Sequence, residues 1–359
     1  MLHALIMAGG GGTRFWPRSR AQRPKQFLTL TGDRSLLQQA MDRLEAMVPP
    51  DRAWVITAEA YRAETSRQLP GLAADHIIGE PCGRDTAPCA GLGAALIAAR
   101  DPNAVMVVTP ADHVIEPAQE FRRAVQVAAL VAEEHSTALI TFGIPPTFPS
   151  TGYGYIQRGP EVARRQGISV CRVQAFREKP GADLAEQFVV SGNYYWNSGI
   201  FVWKAATVLE ALRGQRPALH NAVQRIAAAW DRPERAAVLK KEYEAIERVS
   251  IDYAIMEQAR DALVIQAPYQ WDDVGSWLAL ERMRPQDAAG NTVLASHCGL
   301  KTRDTLIVAD ADHLVATVGV DNLLIVQDGQ AILVADKREE GAIKQLVEQL
   351  KKQGLERFL

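Results

Sequence analysis

Through its first 280 residues the chain alternates short apolar runs with amphipathic stretches of helix length, and this alternation limits the possible folds more than any other feature. The spacing predicts strands at 2–7, 54–57, 76–78, 105–109 and 137–142, and helices at 36–47, 59–69, 86–99 and 121–134. Within 36–47 the apolar positions 36, 37, 40, 41, 44 and 47 share one helix face, and Ser35 is placed to cap it. A repeated strand–helix order needs crossover connections. It therefore implies an α/β fold with a mostly parallel sheet and helices on both faces. From about residue 150 the pattern loosens. Strands are expected at 153–157, 170–176, 199–203 and 263–267, among helices near 181–191, 205–213, 217–230, 233–246 and 251–259.

After residue 286 the texture changes. Short β-rich runs at 306–308, 314–318, 323–326 and 331–334 recur every eight or nine residues, separated by Asp and Gly. They predict a small β-rich domain, either a meander or a short β-helix, closed by an amphipathic helix at 342–353. The expected division is 1–285 and 286–359.

Composition removes several classes of function. Forty Lys and Arg against 42 Asp and Glu leave a net charge of −2, so no strongly basic character points to nucleic acid. No apolar run reaches the 18 or so residues of a membrane span, and residues 1–7 lack the basic start and apolar length of a signal peptide. The four cysteines form no CxxC pair, so a reducing cytoplasm is expected. The seven histidines show no HxH or HExxH spacing, which argues against a histidine-based metal site.

In sheets of this kind ligands bind beyond the carboxyl ends of the strands. Directly after the first strand comes Ala8-Gly9-Gly10-Gly11-Gly12-Thr13-Arg14. Four consecutive glycines let backbone N–H groups approach an anion, so the run reads as a phosphate cradle with Arg14 as its charged clamp. It is not a Walker A loop, since no Gly-Lys-Ser/Thr follows, and it lacks the third glycine of the dinucleotide fingerprint. That absence also argues against a nicotinamide-dependent oxidoreductase. Eleven residues beyond Arg14, Pro24 stiffens the segment presenting Lys25, a second phosphate-directed cation. Asp112 follows the strand at 105–109 and is either a turn residue or a ligand. Asp273 offers a second carboxylate after a late strand. Two such carboxylates could share one Mg²⁺ if they converge.

These runs resemble the sugar-nucleotide pyrophosphorylases, and within that superfamily the mannose-1-phosphate guanylyltransferases. The opening run 9–27 is similar to the family's G-G-x-G-T-R-x-x-P followed by a Lys. The runs 80–88, 109–113, 151–156, 176–180, 196–201, 250–254 and 271–277 follow in the family's order. The resemblance covers roughly residues 1–285. Phe15 and Arg18 stand where the family more often has Leu, and Asp85 where Asn is expected.

The resemblance implies a Rossmann-like fold of the nucleotide-diphospho-sugar transferase type, acting in the cytoplasm as a homodimer. The implied reaction is in-line attack by the phosphate of mannose 1-phosphate on the α-phosphorus of GTP, which releases pyrophosphate and forms GDP-mannose. It further implies that Gly9, Gly10, Gly11, Gly12 and Arg14 hold the nucleotide phosphates, while Lys25 neutralises the departing pyrophosphate. Asp112 and Asp273 would bind Mg²⁺, and Lys179 the sugar phosphate. Glu178, Asn197 and the backbone around Gly152 and Gly154 would take sugar hydroxyls. The segment with Glu80, Asp85 and Thr86 would lie at the base, with Asp85 either a base acceptor or the cap of the helix at 86–99. Family members with two domains add a cupin isomerase, whose His cluster is absent here, so no isomerase activity is expected. The rival readings are a glucose-1-phosphate uridylyl- or thymidylyltransferase and a non-catalytic nucleotide-sugar-sensing subunit.

Overall fold

The computed structural model describes residues 1–10 and 12–359. Its chain forms two compact units, the first comprising 1–9, 38–111 and 115–271, the second 10–37, 112–114 and 272–359.

The first unit is built on a nine-stranded sheet. Its strands are β1 (Leu2–Ala8), β2 (Ala53–Ala58), β3 (Ile77–Glu80), β4 (Val105–Pro110), β6 (Leu139–Ile144), β7 (Tyr155–Arg165), β8 (Ile168–Arg177), β9 (Tyr194–Lys204) and β10 (Ala262–Gln266). They are arranged β3-β2-β1-β4-β9-β6-β10-β8-β7. Two three-residue strands, β5 (Val114–Glu116) and β11 (Gln270–Asp272), mark where the chain passes from one unit to the other. Seven of the nine sheet strands point the same way, and only β8 and β9 run against them.

Between the strands lie α1 (Leu36–Glu45), α2 (Arg62–Gln68), α3 (Thr86–Arg100), α4 (Ala118–Glu134), α5 (Ala182–Ser191), α6 (Ala205–Gln215), α7 (Pro217–Ala228) and α8 (Arg235–Glu244). Leu5, Met106, Val108, Phe201 and Trp203 turn to one sheet face and share a core with α3, α6 and α7. The small residues of α3 permit this close packing. A Cβ on Gly93 would stand 2.4 Å from Leu5 Cδ2, so only glycine lets the helix settle at this depth. The alternate residues Val105, Val107 and Val202 are equally buried but face the other way, and α4 packs against β4, β6 and β9.

Local differences from the sequence pattern have simple causes. The helix expected at 59–69 opens as a 3₁₀ turn, Glu59–Tyr61, before α2. The helix expected at 251–259 is a five-residue π turn, Asp252–Met256. β7 and β8 run longer than their apolar stretches because they form a hairpin, in whose outer half Glu161, Arg164 and Arg165 of β7 pair with the buried residues 168–171 of β8.

The second unit contains α9 (Ala279–Met283), the strands β12 (Thr292–Leu294), β13 (Ser296–Leu300), β14 (Leu306–Val308), β15 (Leu314–Val318), β16 (Leu323–Asp328) and β17 (Ala331–Asp336), and the final helix α10 (Ile343–Lys352). β12, β14 and β16 pair in parallel, as do β13 and β15, and β17 closes the stack as an antiparallel hairpin. This is a short β-helix and not a meander. The eight- to nine-residue period marks half a coil, because successive strands alternate between two sheets. Leu306, Val308, Leu324, Val326 and Leu333 form its core with Phe15, Trp16, Trp277 and Ile343. Among the described residues no helix is long and apolar enough to cross a membrane.

Candidate functional site

The site residues named above fall into the two units, and each group has its own geometry. In the second unit the glycine run lies against the lysine segment. Gly12 has φ +53, and a Cβ there would stand 2.5 Å from Lys25 Cβ and 2.6 Å from Lys25 N. Both the backbone angle and the close approach require glycine. Gly10 also has positive φ, at +140, and Gly11 lies outside the described residues. Thr13–Phe15 forms a 3₁₀ turn that buries Phe15 against Trp277, with ring centroids 5.1 Å apart. This anchors the loop and leaves Arg14 on the outside, where its Nη1 donates to the Gly275 carbonyl at 3.4 Å. Gly12→Ala is expected to lower thermal stability by more than about 1 kcal/mol, since alanine resists positive φ and here also meets backbone. A melting curve matching that of the parent protein would refute the requirement.

Lys25 follows Pro24 in a short 3₁₀ turn and is 7% exposed. Its ammonium donates to Asp112 Oδ2 at 2.8 Å and to the Asp273 carbonyl. One cation thus joins the two aspartates expected to share a metal. Burial would push the Asp112 carboxyl up, but Lys25, aided by His113, outweighs it and holds the group below the ordinary carboxylate range. Asp273 Oδ1 accepts from the Gly275 N–H at 3.1 Å. The neighbouring Asp272 is committed elsewhere, to Arg282 at 2.8 and 3.1 Å and to the Val274 N–H at 2.7 Å. These bonds hold Val274, a buried β-branched residue, at φ +46. Sequence reading of the Asp-Asp doublet named only Asp273. Asp272 is the residue that fixes the turn.

The two aspartates fit a divalent cation. They offer hard oxygen ligands, and the Lys25 ammonium places a positive charge on the Asp112 carboxylate and the Asp273 main-chain carbonyl. Among the described residues no cluster of three or more His, Cys, Asp or Glu could hold a metal. An ion here would complete its shell with water and substrate phosphate, a common arrangement for Mg²⁺.

In the first unit, Glu80 ends β3 and is 8% exposed. A Cβ on Gly9, just past β1, would stand 3.5 Å from Glu80 Oε2. Burial, opposed by a bond from the Tyr243 hydroxyl and reinforced by Asp85, pushes the Glu80 carboxyl up to about 7. Asp85 adopts φ +71 with ψ −169, an extended positive-φ conformation that residues other than glycine rarely take, and its Oδ1 accepts from the Thr86 N–H at 2.8 Å to cap α3. The Thr86 hydroxyl accepts from Ile251 N at 2.9 Å. The cap role of Asp85 is therefore realised, while its exposed side chain also faces Arg248 at 3.6 Å.

A second group in this unit surrounds Gly154. A Cβ there would stand 2.7 Å from Glu178 Oε2 and 3.5 Å from Asn197 Cβ, and the Gly154 carbonyl accepts from Asn197 N at 2.8 Å. Lys179 donates to Glu178, and that bond raises the pKa of its ammonium. Asn197 Nδ2 donates to Asp252 Oδ1 at 2.8 Å. Burial foremost, with Glu178 adding to it against the Asn197 bond, pushes Asp252 up to about 6. Gly152 stands apart, its N–H donating to Ser150 Oγ at 3.2 Å. The sequence reading gave no role to Asp252 or Tyr243. Asp252 falls inside a recognised motif, but nothing in the sequence marks Tyr243.

The family model described as nucleotidyl transferase matches residues 3–290, and that of the mannose-phosphate isomerase/GMP-like β-helix domain matches 295–350. A mannose-1-phosphate guanylyltransferase of Escherichia coli K12 is 40% identical over 98% of this chain and 74% of its own length. The ManC enzyme of Salmonella typhimurium, described in the same words, has the same identity and coverage. A crystal structure from Thermus thermophilus, titled as a mannose-1-phosphate geranyltransferase, is 35% identical. It aligns with a TM-score of 0.87 over 98% of this chain and 99% of that one. Members of the nucleotidyl transferase family act on a nucleoside triphosphate and a sugar phosphate and generally use a divalent metal. With both family models matched and near-complete alignment to these relatives, the chain belongs to the nucleotidyl transferase family, in the group of the mannose-1-phosphate guanylyltransferases.

Proposed function

We propose that the protein joins GTP and mannose 1-phosphate into GDP-mannose, releasing pyrophosphate, with Mg²⁺ held by Asp112 and Asp273. The observation that carries this reading is the convergence of Lys25 on both aspartates behind the Gly12 backbone. Two polyanions must meet, so catalysis consists of charge neutralisation and in-line positioning. Bound there, Mg²⁺ would supply Lewis-acid neutralisation at the α-phosphate. Arg14 and the N–H groups of the glycine run hold the triphosphate, and Lys25 offsets charge on the leaving pyrophosphate. Lys179 binds the sugar phosphate, and Glu178 and Asn197 take sugar hydroxyls. Guanine presents N–H donors at N1 and N2, and Glu80 is the acceptor suited to them. A site built around such bonds rejects bases that lack them.

The test is pyrophosphate release with every pairing of GTP, ATP, UTP and dTTP with mannose and glucose 1-phosphates. GTP with mannose 1-phosphate should be preferred. A preference for UTP or dTTP with glucose 1-phosphate would replace this reading with a uridylyl- or thymidylyltransferase. The four cysteines, all free, fit a reducing cytoplasm.

The β-helix supports a homodimer. On β13 and β15 the outward residues include Leu300, Leu314 and Val318, exposed by 61, 69 and 71%. A row of apolar side chains on a regular sheet face suits burial against a second copy. The double change Leu314→Asp and Val318→Asp is expected to halve the mass measured by light scattering. An unchanged mass would exclude this face.

A further inference from the structure

Six interactions lace the base segment to residues 243–251. The buried Tyr243 hydroxyl donates to Glu80 Oε1, and Arg84 Nη2 donates to the Glu244 carbonyl. Val249 N donates to the Arg84 carbonyl at 3.2 Å, and Ala87 N to the Val249 carbonyl at 3.1 Å. Ile251 N meets the Thr86 hydroxyl, and Arg248 pairs with Asp85. Residues 243–251 begin in the last turn of α8 and follow no strand in the sequence, so sequence position alone would not connect them with base recognition.

We propose that Tyr243 is a positioning residue for base selection, holding Glu80 so that one carboxylate oxygen is tied down and the other, Oε2, is presented beside the Gly9 backbone to accept from guanine. The inference rests on Glu80 being the base acceptor. The phenol is fully buried and reaches Glu80 across 163 residues of chain, and its hydroxyl has one acceptor to serve. With Oε1 bonded to the phenol, Oε2 is the oxygen that lies toward Gly9, where a Cβ would stand 3.5 Å from it.

The arrangement has a consequence in pH. Among the described residues, the ionisable groups that act on this pair are Asp85, Cys82 and Cys89. None of them is a cation, so the Tyr243 hydroxyl is the group that favours the Glu80 carboxylate. Guanine donors need that carboxylate ionised. GTP affinity should therefore fall as pH drops through about 7, the range to which Glu80 is raised.

The test uses Tyr243→Phe, which keeps the ring and removes the donor. The expected result is a rise of roughly tenfold in KM for GTP, with kcat and KM for mannose 1-phosphate little changed. Loss of the donor raises the Glu80 pKa, so the acid limb of kcat/KM for GTP should move to higher pH. A site-specific 3-fluorotyrosine at position 243 is a stronger donor in the same volume and should move that limb to lower pH. This second variant serves if the phenylalanine protein fails to fold. Limbs that coincide with the parent's in the variants that fold would overturn the proposal. Glu80→Gln separates the two levels of the argument. If it leaves the KM for GTP and the acid limb unchanged, Glu80 is not the base acceptor and the proposal falls with that reading. If Glu80→Gln changes both while the Tyr243 variants change neither, only the role of Tyr243 is wrong.

Discussion

Asp112→Asn and Asp273→Asn are each expected to lower kcat by on the order of a hundredfold or more, which corresponds to about 2.7 kcal/mol of transition-state stabilisation. Each change keeps the shape of the side chain and removes one of the anionic ligands proposed for Mg²⁺. The loss should be greatest where the metal neutralises charge developing on the reacting phosphates. The two variants should differ in stability. Asp112 is the carboxylate partner of Lys25, which is itself buried, whereas Asp273 meets that ammonium through its backbone carbonyl. Asp112→Asn therefore weakens an ion pair, at a cost on the order of 1 kcal/mol because the Asp112 side chain is 35% exposed. Asp273→Asn leaves the carbonyl contact in place. Steady-state rates over a range of Mg²⁺ concentrations, taken well below the melting temperature, check the first expectation. Thermal melts check the second. Near-normal kcat in both variants at millimolar Mg²⁺ would remove the shared-metal assignment.

The parts of the molecule that could be read from the sequence are those fixed by local pattern. β1, β2, β4 and α3 appear within a residue or two of their apolar runs, because each buries a continuous stripe and ends at a turn or cap such as Asp85. The order of strands and helices implied a mostly parallel sheet, and seven of nine strands obey it. Pairing over long separations was not legible. Nothing local places β9 between β4 and β6, or shows that the late β runs alternate between two parallel ladders. The site divides in the same way. The sequence marks Asp112 and Asp273 as carboxylates after strands and Lys25 as a cation beyond the glycine run, but the ammonium's contact with both aspartates depends on the Gly12 approach and on the turn that Asp272 locks. Tyr243 carries no signal in the sequence because a tyrosine inside a helix reads as core until its hydroxyl is seen on Glu80.

The two lysines should separate by the stage at which each acts. Lys179 lies mostly in solvent, its ammonium on Glu178, beside the Gly154 and Asn197 group. If it binds the sugar phosphate, its partner carries about two negative charges before and during reaction, so the contact is made in the ground state. Lys179→Ala should then raise the KM for mannose 1-phosphate by about ten- to a hundredfold, the range for a charge-assisted bond, and leave kcat less affected. Lys25 is buried and already holds Asp112. Its proposed target, the pyrophosphate, gains charge only as the bond to the α-phosphorus breaks. The interaction therefore strengthens toward the transition state, and Lys25→Ala should lower kcat by roughly a hundred- to a thousandfold with a smaller change in either KM. Removing Lys25 also frees Asp112 from its internal cation, so divalent metal should bind the unliganded variant more tightly, as measured by calorimetry. That gain cannot restore kcat if the ammonium is needed on the leaving group. A Lys25→Ala enzyme with raised KM for mannose 1-phosphate and unchanged kcat, beside a Lys179→Ala enzyme with the opposite behaviour, would mean that the two ends of the reaction are assigned the wrong way round.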